Sequence, residues 1–156
     1  MIAGIGDDEL RDAASDGRNV LRVVRGTYDV EGGDDGSIGA HDLVDEEGNV
    51  ITIPAEALVV AGLYDVQTGF ASEYNAATIQ IELDDGDGHS SDLKTAVAID
   101  DVGNPYDAGR HAVVPVWATV ATWLNPSQER NLRVTVDVEE VLDGKLTVFV
   151  VYFASE

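Results

Sequence analysis

Leu132-Arg-Val-Thr-Val-Asp-Val138, followed by Leu142-Asp-Gly-Lys145 and Leu146-Thr-Val-Phe-Val-Val-Tyr-Phe153, is the most legible part of the chain. Leu132, Val134, Val136 and Val138 alternate with polar residues, the period-two pattern of a half-buried strand. Asp143-Gly144 is a two-residue signal for a type I′ hairpin turn. The expected hairpin pairs Val134, Val136 and Val138 with Phe153, Val151 and Phe149 on the core face. The returning strand then carries a second apolar stripe, Leu146, Val148, Val150 and Tyr152, on its other face. Such a stripe needs cover. Sister copies of the chain would supply it, making Val148, Val150 and Tyr152 a subunit interface; an N-terminal arm or another strand of the same chain would serve equally.

Working back from this element, the texture stays β. Leu21 to Glu31 is rich in Val, Thr and Tyr and runs into the loop signal Gly32-Gly-Asp-Asp-Gly36. Ser37–Val44 reads as a short strand or link. Ala57–Phe70 reads as a long strand with Leu58, Val60, Tyr64, Val66 and Phe70 on one face. In Thr78–Leu83, Ile79, Ile81 and Leu83 point inward, whereas Leu93–Ile99 is compatible with a short helix or a strand. Asn104–Gly109 is a turn cluster, and Val113–Leu124 is apolar on both faces, with Pro115 at a sheet edge. Seven or eight strands without a long helix predict an all-β fold, an antiparallel β-sandwich of jelly-roll type. Residues 1–19 form an expected N-terminal arm or short helix, and residues 20–156 one β-sandwich domain, consistent with the usual size of a single core.

Composition speaks about the solvent. Thirty Asp and Glu oppose nine Lys and Arg, only two of them lysine (Lys94 and Lys145), for a net charge of −21 on 156 residues. A folded surface of about 7,600 Å² places these acids roughly 16 Å apart. That spacing lies inside the Debye length of about 30 Å in dilute buffer and far outside the ~3 Å of molar salt. The carboxylates therefore repel in dilute buffer and act independently in brine, which implies adaptation to concentrated salt. The same charge argues against nucleic acid or an anionic membrane as direct partner. No apolar run approaches a membrane span, and the sequence is expected to be soluble without an export signal. There is no cysteine.

Signals for chemistry are weak. Asp85 and Asp87 have the spacing of the first ligands of an EF-hand, but Ala96 stands where its twelfth-position acid belongs. The loop Glu31–Gly36 is likewise acidic without a ligand pattern, so Ca²⁺ or Mg²⁺ is not expected. His41, His89 and His111 are isolated and form no zinc pattern. Ser90 and Ser91 near His89 and Asp92 do not make a triad, and no nucleophile elbow is present. Trp117 and Trp123 share a face and read as core, subunit interface or carbohydrate platform. The expected protein is not an enzyme and carries no catalytic residue, metal or cofactor.

Ser37-Ile-Gly-Ala-His-Asp-Leu43, Ile53-Pro-Ala-Glu-Ala57, Tyr64-Asp-Val-Gln-Thr-Gly-Phe70, Ala77-Thr-Ile79 and the close Leu132–Tyr152 resemble a loose group of small β-sandwich virion proteins from tailed phages and archaeal tailed viruses. The resemblance implies a particle component, most simply a capsid decoration or cement protein of a halophilic archaeal tailed virus. Its partners would be itself, as a homo-oligomer with a trimer favoured by analogy, and the major capsid protein or other virion proteins. The alternative is a tail, turret or host-attachment module that recognises carbohydrate or uses Ca²⁺ through loops 31–36, 84–92 and 104–109. The charge reading predicts that the melting temperature rises between low salt and molar KCl. A thermal scan in which it falls or stays flat contradicts that reading.

Overall fold

In the computed structural model the described residues are 20–88, 90–112 and 128–154. The expected arm at 1–19, Trp117, Trp123, the run Val113–Leu124 and His89 lie outside them. Among the described residues there are nine strands and no helix: β1 (Val20–Asp29), β2 (Gly39–Asp42), β3 (Thr52–Ile53), β4 (Leu58–Ala71), β5 (Thr78–Asp84), β6 (Ser90–Ala98), β7 (Gly109–Ala112), β8 (Arg130–Asp137) and β9 (Asp143–Ala154). They form two antiparallel sheets, one in the order β1-β9-β4-β7 and the other in the order β2-β8-β5-β6, with β3 also paired to β8. The all-β sandwich expected from the alternation is the fold observed. Leu93–Ile99 resolves in favour of a strand, because Leu93 is buried and β6 pairs with β5.

The expected hairpin does not form. β8 lies between β2 and β5 in one sheet, while β9 lies between β1 and β4 in the other. The link Val138–Leu142 crosses between sheets. It starts at Val138, whose φ of 72° is a conformation that a β-branched residue rarely adopts. Val141, buried, is held there by its amide on the Gly36 carbonyl (2.7 Å), and the Leu142 amide reaches the Ala71 carbonyl (2.8 Å). Asp143-Gly144 therefore opens β9 instead of forming a hairpin turn. Gly144, at φ 139°, lies against the Phe70 ring, and a Cβ there would come within 2.2 Å of it.

This placement also reverses the faces of β9. Leu146, Val148 and Val150 are fully buried and Tyr152 is 4% exposed, packed toward Leu132, Val134 and Val136 of β8 and Ile79, Ile81 and Leu83 of β5. Val148, Val150 and Tyr152, read from the sequence as a subunit interface, are thus covered by the opposite sheet of the same chain. Phe149, Val151 and Phe153, expected inside, are the outward set. From Val148 onward both stripes of β9 are apolar, and the signal for the outward one was Lys145 and Thr147, which share its face. On β4 the register shift between Val59 and Ala61 turns Val59 inward and leaves Val60 45% exposed, correcting the expected single face.

A row of rings closes one side of the core. His41 stacks on Tyr28 (5.5 Å between centroids), Tyr28 on Phe70 (6.1 Å), Phe70 meets Tyr106 edge-on (6.0 Å), and Tyr106 approaches Tyr64 (5.7 Å), which stacks on His111 (4.9 Å). Each tyrosine hydroxyl has a carbonyl acceptor: Tyr28 on Asp35, Tyr64 on Pro105 and Tyr106 on Ile79, at 2.7–3.0 Å. Burial pushes all three hydroxyls up, that of Tyr64 to about 12, so they stay protonated and donate. Replacing Val150 by aspartate puts an unpaired carboxylate among these apolar residues. Val150→Asp is expected to lower unfolding stability by more than about 3 kcal/mol, not to release a folded monomer. Urea denaturation with far-UV circular dichroism distinguishes the two outcomes.

Candidate assembly surfaces

In the acidic loops several aspartates are occupied by their own backbone. Asp29 accepts from the Gly32 amide (2.8 Å), Asp34 from the Asp29 amide (2.7 Å), and Asp35 from both the amide and the hydroxyl of Ser37 (2.8 Å each). Asp45 accepts from the Glu47 and Asn49 amides, Asp84 from Gly86 and Asp85 from Asp87, all at 2.8–2.9 Å. The bonds of Asp35, Asp84 and Asp85, and that of Asp45 to Glu47, reach an amide two residues on and are Asx turns, a local use of a short carboxylate. Hydrogen bonds to the ionised form hold Asp35 and Asp45 below their ordinary range, led by the Ser37 amide and the Asn49 amide respectively. Among the described residues no group of three or more His, Asp or Glu side chains has the geometry of a metal site.

His41 and His111 are not loop residues. Each sits on an edge strand, stacked on a tyrosine, with Nε2 against the carbonyl of Ser37 (2.7 Å) or Asp107 (3.0 Å). An open cleft of about 730 Å³ lies where Arg25 and Lys145 face Asp29, Asp45 and Glu46. Both cations are already matched, Arg25 to Glu46 and Lys145 to Asp29 (3.7 Å). A smaller groove of about 590 Å³ is lined by Ile38, Val138 and Leu142 with Glu73, Glu139 and Glu140. At its back Glu139 collects the Ser72 hydroxyl (2.8 Å) and the amides of Ala76 (2.7 Å) and Tyr74 (3.2 Å).

The outer faces of the two sheets differ. On the β2-β8-β5-β6 sheet the outward residues of the central strands β5 and β8 are polar and joined. Arg133 bridges Glu82 (2.8 Å) and Asp84 (3.0 Å), Thr135 donates to Glu82 (2.7 Å), and Gln80 bonds Asp92. On the β1-β9-β4-β7 sheet the first cross-strand row, Thr27, Thr147, Asp65 and Arg110, is polar, with Thr27 on Thr147 (3.1 Å) and Gln67 donating to Thr147 (3.2 Å). The rows beyond it turn apolar: Arg25, Phe149, Leu63 and Ala112; then Val23, Val151 and Ala61; then Leu21, Phe153 and Leu58. The period-two pattern of β9 contained this face, but assigned it to the interior.

The fold is shared with chains of three phage capsid structures. They come from the acidic stable capsid structure of Helicobacter pylori bacteriophage KHP30 (TM-score 0.59, 12% identity, 89% of this chain and 91% of that one), the capsid of Ralstonia phage GP4 (0.54, 11%, 88% and 86%) and the cyanophage Pam1 capsid asymmetric unit (0.52, 16%, 99% and 91%). No protein-family model and no curated protein matches the chain.

The Glu139 cluster sets a pH dependence. The Ser72 hydroxyl first, with the Ala76 and Tyr74 amides, holds its carboxyl below the ordinary 4.5. A depressed carboxyl contributes stability above its unfolded value and loses it as pH falls through the folded one. Acid unfolding of the wild type is therefore expected to be steeper below pH 4.5 than that of Glu139→Gln. Parallel acid titrations of the two proteins would contradict the assignment.

Proposed function

We propose that the chain is a virion structural protein, seated on the capsid of a tailed virus of a halophilic archaeon as a decoration or cement protein. The observation that carries this reading is end-to-end likeness of fold: the superposition covers 89% of this chain and 91% of a chain from the KHP30 capsid. The strand order β1-β9-β4-β7 against β2-β8-β5-β6 supports a jelly roll, an architecture common in viral capsids. The −21 charge supports a particle that persists in brine. Backbone capping of the loop carboxylates favours a structural role over a Ca²⁺-dependent attachment module. In this role the protein adds symmetric contacts across the joints of the shell, as a homo-oligomer for which a trimer is the favoured state, and its work is mechanical.

Immunogold labelling of intact virions in molar salt tests the location. The expected result is label distributed over the head at many copies per particle. Label confined to the tail supports the attachment alternative, and particles that never carry the protein overturn both.

A further inference from the structure

The apolar half of the outer face of the β1-β9-β4-β7 sheet has no structural use within the described residues. Its strands are the same ones that, a few residues away, carry a hydrogen-bonded polar row on the same face. A face built only to meet water would continue that row. Instead Leu21 is 57% exposed, Val23 61%, Val60 45% and Leu63 38%, with Phe149, Val151 and Phe153 half-buried between them. Together they form an apolar stretch across three neighbouring strands, the kind of exposed face that marks an interaction site.

We propose that this half-face is the contact between copies of the chain, a second copy being its occupant. The centre of a stable protein interface is apolar and depleted of charge, as these rows are. Charge selects the same occupant. On a chain of net charge −21 most contacts between copies would bury carboxylates without partners, a cost that salt does not remove, yet the rows from Arg25 to Leu21 carry no carboxylate among the described residues. Their one cation, Arg25, is matched by Glu46 of the same chain. A partner recognised by opposite charge would be met by acids, as the rest of this surface would meet it; an uncharged apolar face is complementary to another like itself. This inference rests on the oligomeric part of the function proposed above and is independent of where the protein sits on a particle.

Sedimentation velocity of the full chain in molar KCl is the test. The wild type is expected to be an oligomer, and Val23→Asp and Val151→Asp to weaken association by at least about thirtyfold. Ala40→Asp, on the exposed outer face of the other sheet, is expected to leave it unchanged. Because the chain has no cysteine, Val23→Cys and Ala40→Cys give a second readout that needs no added charge: thiol labelling at position 23 should be slow in the oligomer and recover on dilution to monomer, while position 40 labels fast throughout. An oligomer that survives both folded aspartate variants, or labels fast at position 23, overturns this surface and leaves the oligomer reading standing. A monomeric wild type overturns both. In that case slow labelling at position 23 means that the patch is covered by its own chain, and fast labelling leaves it to a different protein.

Discussion

The stacking of Tyr28 between His41 and Phe70, continued through Tyr106 and Tyr64 to His111, is the interaction on which the two-sheet arrangement depends. It joins residues of β1, β2, β4 and β7 and the loop before β7 in one row, and each tyrosine hydroxyl anchors a carbonyl of a loop or of the opposite sheet. Buried hydroxyls without acceptors would cost about 1–3 kcal/mol each, so the loops at Asp35 and Pro105 have to stay where they are once the rings are packed. The packing of Gly144 against Phe70 belongs to the same constraint, because it lets β9 enter the sheet beside β4 at close range.

With the loops placed in this way, the acidic residues serve two scales. Across the surface they set a net charge of −21. Within each loop an aspartate reaches an amide two or three residues on and closes a turn, which a longer glutamate does less well. The excess of aspartate over glutamate, 19 to 11, is thus in part a requirement of turn geometry. Glu139 is the exception. Its longer side chain spans from the β8–β9 link to the β4–β5 turn and fastens two connections together.

The alternation of β5, β8 and β9 was enough to read an all-β sandwich, and Ile79, Ile81, Leu83, Leu132, Val134 and Val136 are buried as expected. What was misread was which face of β9 turns inward: Phe149, Val151 and Phe153 are as apolar as Val148, Val150 and Tyr152, and the polar Lys145 and Thr147 on the first face were outweighed by the expected hairpin. The decision lies in the five-residue link from Val138 to Leu142, whose backbone bonds to Gly36 and Ala71 are contacts distant in sequence. The exposure of Val60 was hidden for a similar reason, because a bulge changes the phase of a strand without leaving a composition signal. His41 and His111 looked isolated because their stacking partners stand 13 and 47 positions away along the chain.

The division of the β1-β9-β4-β7 outer face into a polar and an apolar half is compatible with the brine that we infer from the charge. At molar ionic strength the Debye length is about 3 Å, so ion pairs at the rim of a contact lose most of their reach. Burial of apolar area does not depend on unscreened charge, and it continues to drive association there. A protein that must be soluble at high salt and still recognise a neighbour is therefore best served by acids over most of its surface and one compact patch without them. Leu21, Val23, Phe149, Val151 and Phe153, beside the polar row of Thr27 and Thr147, have that composition.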